Sequence, residues 1–285
     1  MTISLDHLSP LRRQQLQSVT KIITTAIHPE KIILFGIYAS PVSIIGNDPE
    51  HQFLYSYDIL VVSRRNDQRC DHALQDIIEN RCRFSTAVNI LVHDIDYVNS
   101  QLSQGQYFFS MISREAILLY DAGLVPLVEG PSPDFTRIRA AARKDYDSWW
   151  SRASAFFNTA LFSRQQKEQR LTVFLLHQAA EQTYQAILLV FTGYKPCTHN
   201  LDKLRRYTNR ISIELAMVFP RNTPEEDRLF KLLLQGYVDA RYKEDYCITD
   251  EETTLLTERV GKLQSVAVRI CHNRFISLEK MRPAA

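Results

Sequence analysis

The sequence predicts two domains: an α+β domain with a small mixed sheet and helices, followed by an all-α, up-and-down helical bundle. Three observations predict this division. Short apolar runs typical of strands alternate with helical periodicity as far as residue 122. Two Gly and three Pro then fall close together, which is typical of a linker. Strand patterns are missing from the remainder. We therefore expect domains at 1–122 and 134–285, joined by a linker at 123–133.

The first domain is predicted as helix, strand, strand, helix, strand, helix and strand. Pro10 suits the first position of a helix that His28 and Pro29 end. The apolar run Ile32–Phe35 is short enough for a buried strand, which we expect to end at Gly36. The later elements are a loop at Pro41–Glu50, a strand at Tyr57–Val62, a helix at Cys70–Cys82, a strand at Val88–Val92, one helical segment at Asp94–Ser113 and a strand at Ile117–Tyr120.

The second domain is predicted to contain only helices. Capping boxes at Thr223 and Thr249 each begin one of them. The helix that begins after Thr223 is expected to continue inward-facing through Tyr237 and Ala240 and to end at Arg241. The other helices are Phe135–Phe162, Arg170–Thr192 with Gly193 at its end, Leu201–Tyr207 with Asn200 as its cap, and a last helix running beyond Ile270.

Bulk composition is that of a globular chain able to bury a core. Its 285 residues are 45% hydrophobic and 23% charged, with a net charge of +2. The first 122 residues carry 10 Lys and Arg against 13 Asp and Glu, and the remainder 24 against 19. The second domain is thus mildly basic, which permits a nucleotide or RNA partner but does not require one.

The spacing of the cysteines and the length of the apolar runs indicate the compartment in which the protein is found. The five cysteines are scattered without CxxC spacing, which indicates a reducing compartment and gives no metal site. The first residues lack the pattern of a signal peptide, and no apolar run approaches the length of a membrane helix. We expect a cytoplasmic protein that does not engage a membrane.

The segments KIILFGIYAS and YSYDILVVS, followed by HDIDYVNSQLSQGQYFFSMISREAILLYDAG, resemble the small nucleotidyltransferase domain of the polymerase-beta superfamily. The resemblance implies a strand, a Gly-Ser turn that binds phosphate, and acids that hold two Mg²⁺ ions. Here Ile37 replaces the Ser, Ser56 replaces the first acid, and Asn89 falls where the third acid belongs. Gly36 and Asp58 are the remnants.

One carboxylate cannot hold two divalent cations, so the resemblance argues against nucleotidyl transfer. We assign no catalytic residue in this domain, and Mg²⁺ is expected only if the domain is active. His93, Asp94 and Asp96 could substitute as ligands. The same three residues are also typical of a loop end.

Polar side chains crowd Val238–Thr249, between two helices that must pack together. Arg241, Tyr242 and Lys243 suit a nucleotide, since guanidinium and ammonium bind phosphate and a ring stacks on a base. A solvated helix end and turn would have the same composition. We expect this stretch to face a polar wall of one helix. The candidate binding residues are His177, Glu181, Tyr184, Lys195, Asn200, Arg241, Tyr242 and Lys243.

An internal pair is the alternative for His177 and Glu181, which lie four residues apart on one helix face. Such a pair would satisfy both side chains inside the bundle, with no ligand involved. The sequence leaves both interpretations open.

The segments LLHQAAEQTYQAIL, THNLDKL and YVDARYKEDY, in this order, are similar to HEPN domains. These are helical bundles found beside small nucleotidyltransferases in prokaryotes. Many are dimeric ribonucleases in which Arg is followed by His after four to six residues. Arg241 matches, but Tyr246, Cys247 and Ile248 hold the positions of the His. The general acid and base is therefore missing from the motif, and only His177 or His199 could replace it in space.

Three functions remain open at this stage. The first is a nucleotide-binding or regulatory protein, with a degenerate nucleotidyltransferase domain and a HEPN domain that lacks the catalytic His. The second is an active nucleotidyltransferase or HEPN ribonuclease of a toxin–antitoxin or phage-defence system. The third is an interaction module. A homodimer through the HEPN domain is expected from the resemblance, and nucleotide or RNA is the expected partner.

Overall fold

A computed structural model describes residues 5–41, 53–65, 67–82 and 86–281. The chain divides into two compact units, Met1–Pro133 and Asp134–Ala285. The first unit is a small mixed sheet with helices and the second is helical, so the predicted fold classes are confirmed at this level. The described helices include none with the length and apolarity that crossing a membrane requires.

The first unit contains four strands and four helices within the described residues. They are α1 (Pro10–Ile27), β1 (Lys31–Pro41), β2 (Phe53–Ser63), α2 (Asp71–Cys82), β3 (Ala87–Asp94), α3 (Ile95–Ser103), α4 (Tyr107–Glu115) and β4 (Ile117–Asp121). The strand order is β3-β2-β1-β4. β1 is antiparallel to both its neighbours, and β2 is parallel to β3 through the α2 crossover. A core of apolar side chains from α1, α2 and the strands holds the unit together.

The first strand is longer than its apolar run predicts, and the expectation that Gly36 ends it is wrong. β1 continues through Gly36 and pairs it with Asp58 of β2, after a bulge at Phe35. A Cβ at Gly36 would lie 2.6 Å from the ring of Tyr38, so a larger residue here would have to displace this ring. The predicted loop Pro41–Glu50 lies, except for Pro41, outside the described residues.

The single helical segment predicted at Asp94–Ser113 is two helices, α3 and α4. Gly105 separates them with φ of +67°, a left-handed conformation that glycine adopts without strain. Gln106 then caps α4 by accepting a hydrogen bond from the backbone N–H of Phe109.

The segment predicted as a linker is bonded to the first unit. The backbone N–H groups of Leu124 and Val125 donate to Glu30 Oε1 at 3.0 and 2.7 Å. Further along, the N–H of Val128 donates to Asn99 Oδ1 at 2.8 Å. These bonds fix the course of the segment along the unit that precedes it.

The second unit is built around one central helix. Its helices are α5 (Phe135–Gln165), α6 (Gln169–Thr192), α7 (Leu201–Asn209), α8 (Ile213–Ala216), α9 (Pro224–Gln235), α10 (Asp239–Tyr242) and α11 (Asp250–Lys280). Every side chain from Ala179 to Val190 of α6 is buried, and α5, α7, α9, α10 and α11 pack against this helix. The predicted caps at Asn200, Thr223 and Thr249 are present, and both capping boxes are complete.

The helix expected to continue to Arg241 ends at Gln235 instead. A Cβ at Gly236 would lie 2.8 Å from Cγ1 of Val173, so α9 approaches α6 closely where it ends. Tyr237 is then partly exposed, which corrects its predicted inward position. Arg241 is placed by the separate short helix α10.

Candidate functional site

One face of α6 supplies a row of functional side chains. Arg170, Phe174, His177 and Glu181 recur at spacings of three and four residues, so they share a face over about 16 Å of helix. The segment after α9 and the loop before α7 lie against this face. The polar strip is the set Arg170, Phe174, His177, Glu181, His199, Tyr237, Arg241 and Tyr242.

Arg241 is held by aromatic rings. Its Cζ lies 4.9 Å from the ring centre of Phe174, 4.6 Å from that of Tyr237 and 4.8 Å from that of Tyr242. Its Nε donates to the carbonyl of Tyr237 at 2.5 Å. Within the described ranges no carboxylate forms an ion pair with Arg241, which is exposed. The guanidinium therefore contacts three rings and one carbonyl while the side chain remains exposed to solvent.

The neighbouring cations are already engaged. Lys243 Nζ lies 3.0 Å from Asp239 Oδ2, one helical turn earlier, so the charge of this predicted anion ligand is partly neutralised. Arg170 donates to the carbonyls of Ala240 at 3.0 Å, Asp239 at 3.4 Å and Lys243. Arg170 thus fastens α10 to α6. Sequence reasoning missed this residue because no local pattern marks such a contact.

An open cleft of about 610 Å³ runs beside Arg241. Its walls are Glu168, Arg170, Leu171, Phe174, Ala240, Arg241, Tyr242, Lys243 and Glu244. Tyr242 is 73% exposed, so its ring is available to a ligand in the cleft.

A carboxylate between two imidazoles continues the strip. His199 Nδ1 lies 2.9 Å from Glu181 Oε1, and His177 Nδ1 lies 4.0 Å from Glu181 Oε2. The ring of Tyr237 stacks on both, with ring centres 5.3 Å from His177 and 6.4 Å from His199. The side chain of His199 is 77% exposed, whereas His177 and Glu181 are buried.

Burial sets the protonation of His177. Burial, followed by the nearby charge of Arg241 and the neighbouring His199, lowers the pKa of His177 to about 4. His177 is therefore neutral at pH 7. The second Glu181 oxygen, Oε2, is buried without a hydrogen-bond partner among the described residues.

The other three predicted binding residues have different surroundings. Tyr184 is fully buried, which raises its pKa, and the charges that influence it are Arg205 and Asp202. Lys195 is exposed, with Nζ 5.4 Å from the ring centre of Trp149. The Asn200 side chain accepts from two backbone N–H groups as the cap of α7.

The residues predicted to be remnants of a nucleotidyltransferase site lie in one row of the sheet. Gly36 stands opposite Asp58, and Asp58 stands beside Asn89 in the next strand. Asn89 Nδ2 donates to Asp58 Oδ1 at 3.0 Å, and both residues are buried.

The three residues that could substitute as metal ligands each contact another group of the protein. Asp94 caps α3 through the backbone N–H of Tyr97, at 2.8 Å. Asp96 forms two hydrogen bonds with Arg65 at 2.7 and 2.6 Å, which lower the pKa of the carboxyl. His93 Nδ1 lies 3.3 Å from Asp71 Oδ2. Across the described residues, no group of three or more His, Cys, Asp and Glu side chains is arranged to hold a metal ion.

Comparison with known families finds a match for most of the helical unit. Residues 146–270 match the model of the HEPN domain, a match that begins within α5 and ends within α11. The whole polar strip lies inside the matched residues. A comparison with curated proteins finds no match.

Proposed function

We propose that the HEPN domain at residues 146–270 of this chain binds the phosphate of a nucleotide or of RNA at the cleft beside Arg241. The proposal rests on the surroundings of the Arg241 side chain. Three rings hold its guanidinium at the cleft, and no carboxylate within the described ranges neutralises it.

Phosphate is the ligand group that such a guanidinium favours. Its planar N–H groups can form two parallel charge-assisted hydrogen bonds with phosphate oxygens. Arg170 and Lys243 have partners in the protein, so Arg241 is the main source of free positive charge in the cleft. The exposed ring of Tyr242 supplies a surface on which a base can stack.

For the first unit we propose a nucleotidyltransferase-like fold with a degenerate site. Support comes from the small mixed sheet and from the row of Gly36, Asp58 and Asn89. The Mg²⁺ ions that such a fold implies do not fit this row, because Asp58 is its one carboxylate and shares a hydrogen bond with the Asn89 amide. A regulatory or scaffolding role follows for this unit.

The wider setting implied by the resemblance stays a prediction. It comprises a homodimer through the HEPN domain and membership in a toxin–antitoxin or phage-defence system. Sedimentation of the full chain tests the dimer, and a monomer at micromolar concentration would contradict it.

The binding proposal is tested with the full chain. Calorimetry with ATP and fluorescence anisotropy with a labelled single-stranded RNA compare wild type, Arg241→Ala and Arg137→Ala. Arg137 is an exposed arginine on α5, so its replacement removes the same charge elsewhere in the unit. A charge-assisted hydrogen bond contributes about 1.5–3 kcal/mol, so Arg241→Ala should weaken binding by about tenfold or more. Binding of neither probe by the wild type would refute the proposal.

A further inference from the structure

The first unit contains a pocket between α4 and the segment that follows β4. Its volume is about 270 Å³. It is lined by Ser110, Ser113, Arg114, Leu127, Val128, Glu129, Gly130 and Pro131. We propose that this pocket binds a small zwitterion, a free α-amino acid, through the ammonium and carboxylate groups of the ligand. This inference is independent of the cleft beside Arg241.

Hydrogen bonds at both ends hold the segment that forms one wall of the pocket. Asn99 of α3 donates from Nδ2 to the carbonyl of Pro126 at 3.1 Å and accepts from the N–H of Val128 at 2.8 Å. At the other end, the guanidinium of Arg114 donates to the carbonyl of Pro131 at 3.1 Å. The wall is thus in place before a ligand arrives, which lowers the entropy cost of binding.

A glycine allows this wall to approach α3. A Cβ at Gly130 would lie 2.4 Å from the backbone carbonyl oxygen of Leu102. Backbone cannot turn aside as the end of a side chain can, so any other residue would push the segment away from the helix. The width of the pocket therefore depends on Gly130.

A buried hydroxyl lines the pocket. Ser110 is only 3% exposed, and its Oγ has no hydrogen-bond partner in the part of the chain that the structure describes. A serine inside a helix often donates to a carbonyl of the preceding turn, as Ser113 does to the carbonyl of Ser110 at 3.0 Å. An unsatisfied buried hydroxyl costs free energy, which a ligand group bonded to it would recover.

Two opposite charges line the same pocket. Arg114 and Glu129 are exposed, and neither forms an ion pair with the other or with a third residue within the described ranges. The bond to Pro131 occupies one N–H of the Arg114 guanidinium, so others are available to a carboxylate. The Glu129 carboxylate can accept hydrogen bonds from an ammonium group.

This pair of charges selects a zwitterion among small ligands. A simple anion attracted by Arg114 would be repelled by Glu129, and a simple amine would meet the opposite conflict. An amino acid carries both charges, and its carboxylate also offers an acceptor to the Ser110 hydroxyl.

The size and the apolar walls of the pocket favour an aliphatic amino acid. Leu127, Val128 and Pro131 supply hydrocarbon surface for a ligand side chain. Pockets that bind drug-sized molecules have volumes of about 300–1,000 Å³, so a pocket at the lower end of this range suits a smaller ligand.

The test uses the full chain with L-alanine, L-valine and L-leucine as probes, in thermal melting and calorimetry. Each is compared with the acid that lacks its amino group and the amine that lacks its carboxyl group, which for valine are 3-methylbutanoate and isobutylamine. At least one amino acid should raise the melting temperature and bind about tenfold or more tightly than both of its analogues. If none binds, or if the acid binds as tightly as the amino acid, the inference is overturned.

Three variants place the binding in this pocket. Ser110→Ala, Arg114→Ala and Glu129→Gln should each weaken binding of the amino acid by about tenfold or more, because each removes a hydrogen bond or a charge pair. Ser103→Ala and Glu115→Gln replace exposed residues of α3 and α4 outside the lining and should bind as the wild type does. Wild-type affinity in all three pocket variants would overturn the inference.

Two further readouts separate a binding role from a structural one. Without ligand, Ser110→Ala should melt no lower than the wild type, because it removes an unsatisfied buried hydroxyl. In Glu129→Gln the preference for the amino acid over the matching acid should shrink, because the repulsion of the anion is gone. Binding of ATP or RNA beside Arg241 should be unchanged in these variants, so the proposed function stands or falls separately.

Discussion

Arg170 donates from Nε to the carbonyl of Ala240 over 3.0 Å, which ties the first turn of α6 to the short helix that carries Arg241. The same guanidinium reaches the carbonyls of Asp239 and Lys243. One arginine of the cleft wall therefore positions another.

Replacement of Arg170 should affect both stability and binding. In Arg170→Met the apolar stem is kept and the hydrogen bonds to three carbonyls are lost. We expect a loss of about 1–3 kcal/mol in the free energy of unfolding. Binding of ATP or RNA should weaken as well, because Arg241 loses its fixed position.

Urea denaturation and anisotropy measure the two effects. Arg137→Met serves as the control, since this exposed arginine lies outside the polar strip. If Arg170→Met keeps both the ligand affinity and the stability of the wild type, other contacts must hold α10 in place.

The buried His177 predicts how stability depends on pH. Its folded pKa is lowered to about 4, chiefly by burial, whereas an imidazole in an unfolded chain titrates near about pH 6.5. The unfolded state therefore binds more protons between these values, and stability falls as pH drops from about 6.5 towards about 4. Between pH 7 and pH 5 this group should remove about 2 kcal/mol.

The check is a series of urea titrations from pH 7 to pH 5. His177→Gln should show a flatter dependence than the wild type, whatever its absolute stability, because the titrating group is gone. His272→Gln should keep the wild-type slope. The interpretation fails if His177→Gln and the wild type lose stability in parallel.

Sequence reasoning found the parts of this molecule that local chemistry specifies. The helix starts at Thr223 and Thr249 follow from capping boxes, in which all the interacting atoms lie within four residues. The burial of α6 follows from its two apolar stripes. The lengths of β1 and of α9 did not follow, because β1 continues to pair with β2 beyond Gly36 and because Gly236 meets Val173 of α6 where α9 ends.

Sequence reasoning predicted only part of the candidate site. Arg241 was found because the polar run around it is continuous. The bond between His199 and Glu181 joins a loop to a helix across 18 residues, and the hydrogen bonds from Arg170 to α10 span about 70. Contacts of this range depend on how helices pack, which no local spacing encodes.

The end of α9 at Gly236 gives a prediction about packing. In Gly236→Ala the new Cβ would lie 2.8 Å from Val173 Cγ1 and 3.0 Å from two carbonyl oxygens, so α9 and α6 must separate. Such overpacking costs about 1–3 kcal/mol of stability, which a urea titration measures. Gly261→Ala in α11 is the control. Its nearest neighbour is the ring of Phe157 at 3.2 Å, and alanine favours a helix interior by about 1 kcal/mol, so it should be tolerated.

The row of Asp58 and Asn89 allows a test of the proposed degenerate site. Asn89→Asp places a second carboxylate beside the buried Asp58, where Asn89 Nδ2 now lies 3.0 Å from Asp58 Oδ1. Ionising two carboxylates this close together is unfavourable. The free energy of unfolding at pH 7 should therefore fall by roughly 1–3 kcal/mol and recover partly at acidic pH.

Mg²⁺ distinguishes a metal-site remnant from an ordinary buried pair. If the row descends from a metal site, millimolar Mg²⁺ should raise the melting temperature of Asn89→Asp and leave that of the wild type unchanged, because only the variant offers two adjacent carboxylates. Asn89→Ala, which removes the amide without adding charge, is the matched control and should not respond to Mg²⁺. An equal response from all three proteins, or from none, would count against the nucleotidyltransferase-like interpretation of this sheet.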